Sequence, residues 1–512
     1  MIDNLLLGFS ISLSMDNLLY CFIGTILGTI VGVLPGLGPS ATIALLLPLT
    51  FKLNLTSAVI MLAGIYYGVA YGGTITSVLM NIPGETSTVV TCIDGYQMAK
   101  KGRAGPALGI AAFGSFIGGT VGVIGLMLLA PPLASVALSF GPPEYAALMI
   151  AGMTLVTYLS RGSFVKSVAM AVLGFILACI GLDPVKGAER FTFGTLTLID
   201  GVGIVPLVMG MFGIAELLNI AEGSVKREGY IQERWRLRKL LPNKQDWRDS
   251  AGPIGRGSVV GFILGILPGG GAVLSSFISY GLEKKISRHP EKFGIGAIEG
   301  VAGPETANNS GTASAFIPLL TLGLPFNVVT ALLLAAFIIH GVIPGPLILK
   351  KDPAIFWGIV TSMYIGNVML LILNLPLIGI FINILRIPYS VLSPIIAVVC
   401  FIGAFSMNYN DMDVLIMIVF GIIGYLMQKF GYEPGPLILA FVIGPIFEQA
   451  LRQSLMLSDG SLSIFFRSSI CIALLSIAFL SIISPWLRTG YRYIRQLLRE
   501  KGGGNVLVNG KE

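Results

Sequence analysis

Four polar breaks interrupt the apolar stretches of this chain, and they come in two matched pairs. Gly32-Val33-Leu34-Pro35-Gly36-Leu37-Gly38 is echoed by Gly265-Ile266-Leu267-Pro268-Gly269-Gly270-Gly271. Downstream, Gly73-Thr74 leads to Asn81-Ile82-Pro83-Gly84, and in the second half Gly311-Thr312 leads to Gly323-Leu324-Pro325-Phe326. The pairs recur in the same order at similar spacing, which points to an internal duplication rather than to isolated packing kinks. Glycine at the tips admits positive φ and close backbone approach. A helix that starts after such a tip presents free N–H groups and the positive end of its dipole, an arrangement suited to a carboxylate. Ser40 and Thr42 follow the first tip as hydroxyl donors, and Ser275 and Ser276 follow the second.

The second pair of breaks is richer in neutral oxygens. Thr74, Thr76, Ser77 and Asn81 share one broken helix; Asn308, Asn309, Ser310, Thr312 and Ser314 share the other. Such oxygens, together with unwound carbonyls, can coordinate Na+ while donating hydrogen bonds to an anion. The expected substrate-binding set is Gly36, Gly38, Ser40, Thr74, Thr76, Asn81, Gly269, Gly271, Ser275, Asn308, Asn309, Ser310 and Thr312. The expected ion-coupling set is Thr74, Ser77, Pro83, Asn309, Thr312 and Pro325, with Na+ as the coupling ion and no other metal or cofactor. The competing reading is that Ser and Thr bond their own helix carbonyls while small residues let helices pack closely. It is strong for an isolated serine and weaker for Asn308-Asn309-Ser310 beside a repeated Gly-Thr. Paired Gly/Pro-interrupted apolar segments in corresponding positions mark a transporter's binding site.

Other chemistries are poorly served. The two histidines sit in a basic loop (His289) and an apolar run (His340), so no histidine metal site or Ser–His pair is expected. Cys21, Cys92, Cys179, Cys400 and Cys471 lie far apart with no CxxC, which suggests neither zinc nor a disulfide framework. There is no phosphate-cradling G-x-x-x-x-G-K-[ST] and no G-x-S-x-G elbow, so the chain reads as a non-enzyme. Among acids near apolar runs, most adjoin Gly or Pro at segment ends. Glu85 and Glu305 flank the duplicated motifs, positions fit to carry a coupling proton or to face a partner.

The elements that must position these groups are membrane helices. The chain has 512 residues, 54% hydrophobic and 12% charged, whereas soluble domains carry about 25% charged residues. At about 20 apolar residues per span, room exists for on the order of a dozen segments. The expected fold is an all-α polytopic membrane protein with about 10–13 transmembrane segments, in two inverted-topology repeats with re-entrant hairpins and broken helices. The net charge of +7 comes from loops and the tail, a positive-inside pattern rather than a nucleic-acid footprint. The N-terminus has no basic n-region and no cleavage site, so no signal peptide is expected. The expected organisation is a first repeat over 1–221, a cytoplasmic basic linker over 222–252, a second repeat over 253–490 and a cytoplasmic tail over 491–512. Basic residues flank the second tip on both sides with too few residues between for two spans, so it reads as a hairpin re-entering from the cytoplasm. The first tip lacks such flanks and reads as its counterpart from the other side. Seven stretches then lie between two cytoplasmic points in the C-terminal half. One of them must not span, and 412–428 or 434–450 is the expected one.

These motifs resemble a known family. The runs G-V-L-P-G-L-G-P-S-A-T (32–42), Y-G-G-T-I-T-S-V-L-M-N-I-P-G-E (71–85), D-G-Y-Q-M-A-K-K-G-R-A-G-P-A-L (94–108), R-F-T-F-G (190–194), P-E-T-A-N-N-S (304–310), G-Y-E-P-G-P-L-I-L (431–439) and E-Q-A-L-R-Q-S-L (448–455) are similar to the large, TctA-type membrane subunit of tripartite tricarboxylate transporters. The resemblance spans nearly the whole chain. It implies the transport path of a cation-coupled secondary importer of organic carboxylates such as citrate, in the bacterial inner membrane. It also implies a small TctB-like membrane subunit and a TctC-like periplasmic binding protein as partners. Phe326 departs from the small residue that the resemblance leads one to expect. A passive carboxylate or anion channel and a proton-coupled transporter stand as alternatives.

Overall fold

A computed structural model describes residues 2–34, 38–159, 163–183, 186–223, 237–384 and 389–483. Its first half contains α1 (Ile2–Ser12), α2 (Met15–Val33), α3 (Pro39–Leu46), α4 (Leu55–Met80), α5 (Val89–Lys100), α6 (Ala104–Ala137), α7 (Pro142–Leu159), α8 (Phe164–Ala178) and α9 (Ile204–Ala221). The second half contains α10 (Lys244–Ile266), α11 (Gly271–Ile286), α12 (Glu299–Ser314), α13 (Phe316–Leu322), α14 (Val328–Ile339), α15 (Pro353–Asn374), α16 (Tyr389–Asn408), α17 (Asp411–Lys429) and α18 (Pro434–Leu457). The only strands among the described residues are Gly181–Leu182 and Glu189–Arg190, paired antiparallel. The all-α polytopic fold is as the composition requires.

Seven helices among the described residues are long and apolar enough to cross a membrane: α2, α4, α6, α9, α15, α17 and α18. Two of these are the stretches from which the sequence reading expected one non-spanning segment, and both are long and apolar enough to cross. The stretches suspected of not spanning, 412–428 and 434–450, form α17 and α18, of 19 and 24 residues. Among the described residues the shorter apolar helices of this half are α14, with 12 residues, and the stretches Ser390–Ser406 and Ser469–Ile483. The counterpart of α14, α5, also has 12.

The duplication is written into the packing. α2 lies along α4, and α10 lies along α12. Gly24, Gly28 and Gly32 abut the carbonyls of Met61, Ile65 and Val69 so closely that a methyl group at any of them would overlap backbone. Gly257, Gly261 and Gly265 abut the carbonyls of Gly303, Ala307 and Gly311 in the same way. Each glycine lies 233 positions after its counterpart, and each contacted residue 242 positions after its own. Glycine allows two helix backbones to approach this closely. This register revises the sequence pairing of the motifs: Gly311 stands where Val69 stands, not Gly73. The equivalent breaks are Asn81 and Gly323, also 242 apart.

Both broken helices run through the interior. Ser57 to Met80 of α4 are buried without exception, as are Gly300 to Ser314 of α12. A helix so rich in Thr, Ser and Asn, enclosed on every side, must satisfy its polar groups against protein or a cavity.

Candidate functional site

Proline sets the tips. The residue before proline is pushed out of the helical region. Accordingly α2 ends at Leu34 (φ −86°, ψ 112°) before Pro35, and α10 ends at Leu267 (φ −80°, ψ 139°) before Pro268. Helix resumes at Pro39, after Gly38, and at Gly271, after Gly270; neither α3 nor α11 has a side-chain cap. Gly269, at φ 71°, donates its N–H to the Phe326 carbonyl at 3.0 Å, tying the second tip to the second break.

The breaks are built alike. α4 stops at Asn81 in the left-handed region (φ 59°), and α13 stops at Gly323 (φ 70°). Four residues later the chain re-enters helix at Glu85 (φ −139°, ψ 167°) and at Asn327 (φ −148°, ψ 168°). Each of these forms a reciprocal capping box with a threonine three residues on, Thr88 or Thr330.

All four restarts meet at one cavity of about 580 Å³. Its wall includes Gly38 to Ala41, Pro83 to Ser87, Gly269 to Val273 and Asn327 to Val329. Tyr66 of α4, Phe212 and Glu216 of α9, Gln428 of α17 and Pro434 at the start of α18 complete it. Phe212 sits on a π-helical stretch, Met209–Ile214, a local widening common at functional sites. No lysine or arginine is among these lining residues; the charged groups are Glu85 and Glu216. The first-turn N–H groups of an α-helix have no partner within it. At α3 and α11 no side chain caps them, so both helices present these donors at the cavity wall. The wall can therefore receive a negatively charged group without a basic side chain.

Five of the sequence-derived residues line this cavity: Gly38, Ser40, Pro83, Gly269 and Gly271. Gly36 lies outside the described residues. The rest stand elsewhere. Asn81 is exposed and makes the left-handed turn. Thr76 donates to the Val33 carbonyl (2.7 Å), Ser275 to Gly271 (2.7 Å), Ser310 to Ser258 (2.7 Å) and Thr312 to Asn308 (2.9 Å). Ser77 donates within 2.8 Å of both the Gly73 carbonyl and Thr88 Oγ1. Asn309 donates to Ser115 Oγ at 2.7 Å, and Pro325 is buried. Thr74 donates to Glu305 Oε2 at 2.7 Å, and Thr91 donates to the other oxygen of that carboxylate. Glu305 is thus enclosed behind the wall, while Glu85 is on it. Asn308 bridges inward, donating from Nδ2 to Glu85 Oε1 at 2.9 Å.

Comparison with known proteins agrees with this architecture. The family model "Tripartite tricarboxylate transporter TctA family" matches residues 18–439. The chain belongs to the tripartite tricarboxylate transporter TctA family. It is 50% identical over 483 residues to an uncharacterised 52.8 kDa protein in the TAR-I ttuC' 3' region of Agrobacterium vitis, covering 94% of this chain and 96% of that protein. It is also 50% identical over 223 residues to an uncharacterised protein in the TAR-II ttuC' 3' region of the same organism, covering 44% of this chain and 92% of that one. No solved structure matches. The chain is thus a multi-pass membrane subunit of the TctA type, a transporter component.

Within this TctA-family cavity, sequence reasoning did not find Tyr66, Ser87, Glu216, Asn327 or Gln428. One signal for Asn327 was present. It follows Pro325 by two residues and precedes Thr330 by three, as Glu85 follows Pro83 and precedes Thr88. Tyr66, Glu216 and Gln428 carry no such mark, because only the rotation of their helices turns them to the cavity.

Proposed function

We propose that this subunit forms the transport path of a tripartite secondary importer of organic di- or tricarboxylates such as citrate. It works in the bacterial inner membrane, coupled to Na+. A TctB-like small membrane subunit and a TctC-like periplasmic binding protein complete the system. The observation that carries this reading is the pair of uncapped helix starts, α3 and α11, on one cavity wall whose described residues include no basic side chain. Two positive dipole ends from equivalent positions suit a ligand with more than one carboxylate. Two such halves around one site also suit alternating access, in which one bundle moves against the other.

Uptake into proteoliposomes containing this chain, the small subunit and the binding protein tests the reading. Accumulation of a labelled carboxylate that needs both an inward Na+ gradient and the binding protein is the expected result. Equilibration without accumulation would make the cavity a channel, and accumulation driven by a proton gradient alone would replace the coupling ion.

A further inference from the structure

The two halves reach across to each other through equivalent residues. Tyr66 of α4 faces the Asn327 side chain, and Asn308 of α12 donates to Glu85. Asn308 lies 242 positions after Tyr66, and Asn327 lies 242 positions after Glu85, the same register as the helix packing. The contacts are therefore counterparts, but their chemistry differs. One arm is neutral, a phenol against an amide. The other holds a carboxylate.

Among the described residues the carboxylate arm has no positive partner. Glu85 is 7% exposed and accepts from Asn308 Nδ2, from the Ser87 hydroxyl and from the capping-box backbone. None of these is a cation. Asn308 is 1% exposed, and its Oδ1 is buried with no hydrogen-bond donor among the described residues. Turning the amide over would set that oxygen against the carboxylate. One helical turn before Asn308, Glu305 is a second buried carboxylate, held among the described residues by the hydroxyls of Thr74 and Thr91. An unpaired carbonyl oxygen beside an uncompensated carboxylate calls for a positive charge with a taste for oxygen. Among the described residues no three His, Cys, Asp or Glu side chains converge, so the set is too poor in charge for a divalent ion.

We infer that Glu85 and Asn308 Oδ1 bind a monovalent cation, Na+, in the cavity wall. The ion sits on one arm of a pseudo-symmetric pair, beside the space where the anion is received. As a coupling site this rests on the reading of the cavity as the carboxylate path. By thermodynamic reciprocity, the ion and the carboxylate then raise each other's affinity by the same factor.

The test is binding of radiolabelled Na+ to the purified full chain in nanodiscs, with choline as the replacing cation and no carboxylate present. Wild type is expected to bind Na+ saturably. Glu85→Gln and Asn308→Ala are each expected to weaken binding by about tenfold or more. Glu448→Gln, which removes a carboxylate outside the cavity wall, is expected to leave binding unchanged. Glu85→Asp keeps both the charge and the helix cap and is expected to retain measurable binding, so a fold lost in Glu85→Gln does not hide the answer. No saturable Na+ binding in wild type, or wild-type affinity in both Glu85→Gln and Asn308→Ala, would overturn the inference. Carboxylate accumulation that needs no Na+ would overturn it while sparing the carboxylate path. Na+ binding at Glu85 without uptake of any carboxylate would support the ion site and refute the path.

Discussion

Glu85 and Asn327 hold the same position in the two halves of the protein. Each starts a helix four residues after a left-handed break, each closes a capping box on a threonine, and each stands on the wall of the same cavity. Only one of them carries a charge. Asn327→Asp keeps a competent helix cap and puts a second carboxylate at the equivalent place. Because no lysine or arginine is among the described residues that line the cavity, like-charge repulsion falls directly on an anionic substrate. The expected outcome is a rise in KM for carboxylate uptake of about tenfold or more, with wild-type expression and melting behaviour.

The glycines of α2 and α10 are packing residues, whereas Gly38 is not. Gly28→Val and Gly261→Val would drive side chains into the Ile65 and Ala307 backbones. Each is expected to destabilise the purified protein by about 1–3 kcal/mol, the usual cost of overpacking, read as a lower melting temperature. Among the described residues a methyl group at Gly38 meets nothing within 4 Å, so Gly38→Ala is expected to melt like wild type.

Asp94 pins a loop. Its Oδ1 accepts the N–H groups of Gly294 (2.8 Å), Gly296 (2.8 Å) and Ala297 (2.9 Å), and its Oδ2 accepts the Tyr280 hydroxyl at 2.9 Å. These bonds fasten the segment between α11 and α12 to α5. Hydrogen bonds to a charged group are worth about 1.5–3 kcal/mol each. Asp94→Ala is therefore expected to speed trypsin cleavage at Arg288 and Lys292 well beyond wild type, and Tyr280→Phe to do so less.

Glu305 depends on two threonines. Thr74→Val and Thr91→Val each remove one hydroxyl donor from this buried carboxylate. Each is expected to cost about 1–3 kcal/mol of stability, measured by thermal melting. Thr74→Ser, which keeps the donor, is expected to recover most of the loss.

What was legible in the sequence was its punctuation. Leu34 before Pro35 and Leu267 before Pro268 end their helices for a local steric reason that any chain would feel. Asn81-Ile82-Pro83 and Gly323-Leu324-Pro325 mark the breaks just as plainly. Side-chain direction was not legible. Thr312 and Ser310 look as suitable for a ligand as Ser40, yet both donate to backbone carbonyls in the interior, and nothing local fixes which way a buried helix is rotated. The register of the duplication was also hidden. Gly73-Thr74 and Gly311-Thr312 look paired, but the spacing that packing obeys is set by Gly24, Gly28 and Gly32 and their later counterparts. Small residues at helical spacing are common in membrane helices, and their meaning appears only once the carbonyls they touch are known.

The central claim is that a carboxylate binds between the starts of α3 and α11. Substrate protection of single cysteines tests it most directly. Ser40→Cys and Ala272→Cys would be placed in a chain whose Cys21, Cys92, Cys179, Cys400 and Cys471 have been replaced, with Ser461→Cys on an exposed turn as the control. A carboxylate that the reconstituted system transports is expected to slow alkylation at both Ser40→Cys and Ala272→Cys and to leave Ser461→Cys unaffected. Transport that persists while neither cavity position is protected would contradict the claim and place the substrate elsewhere.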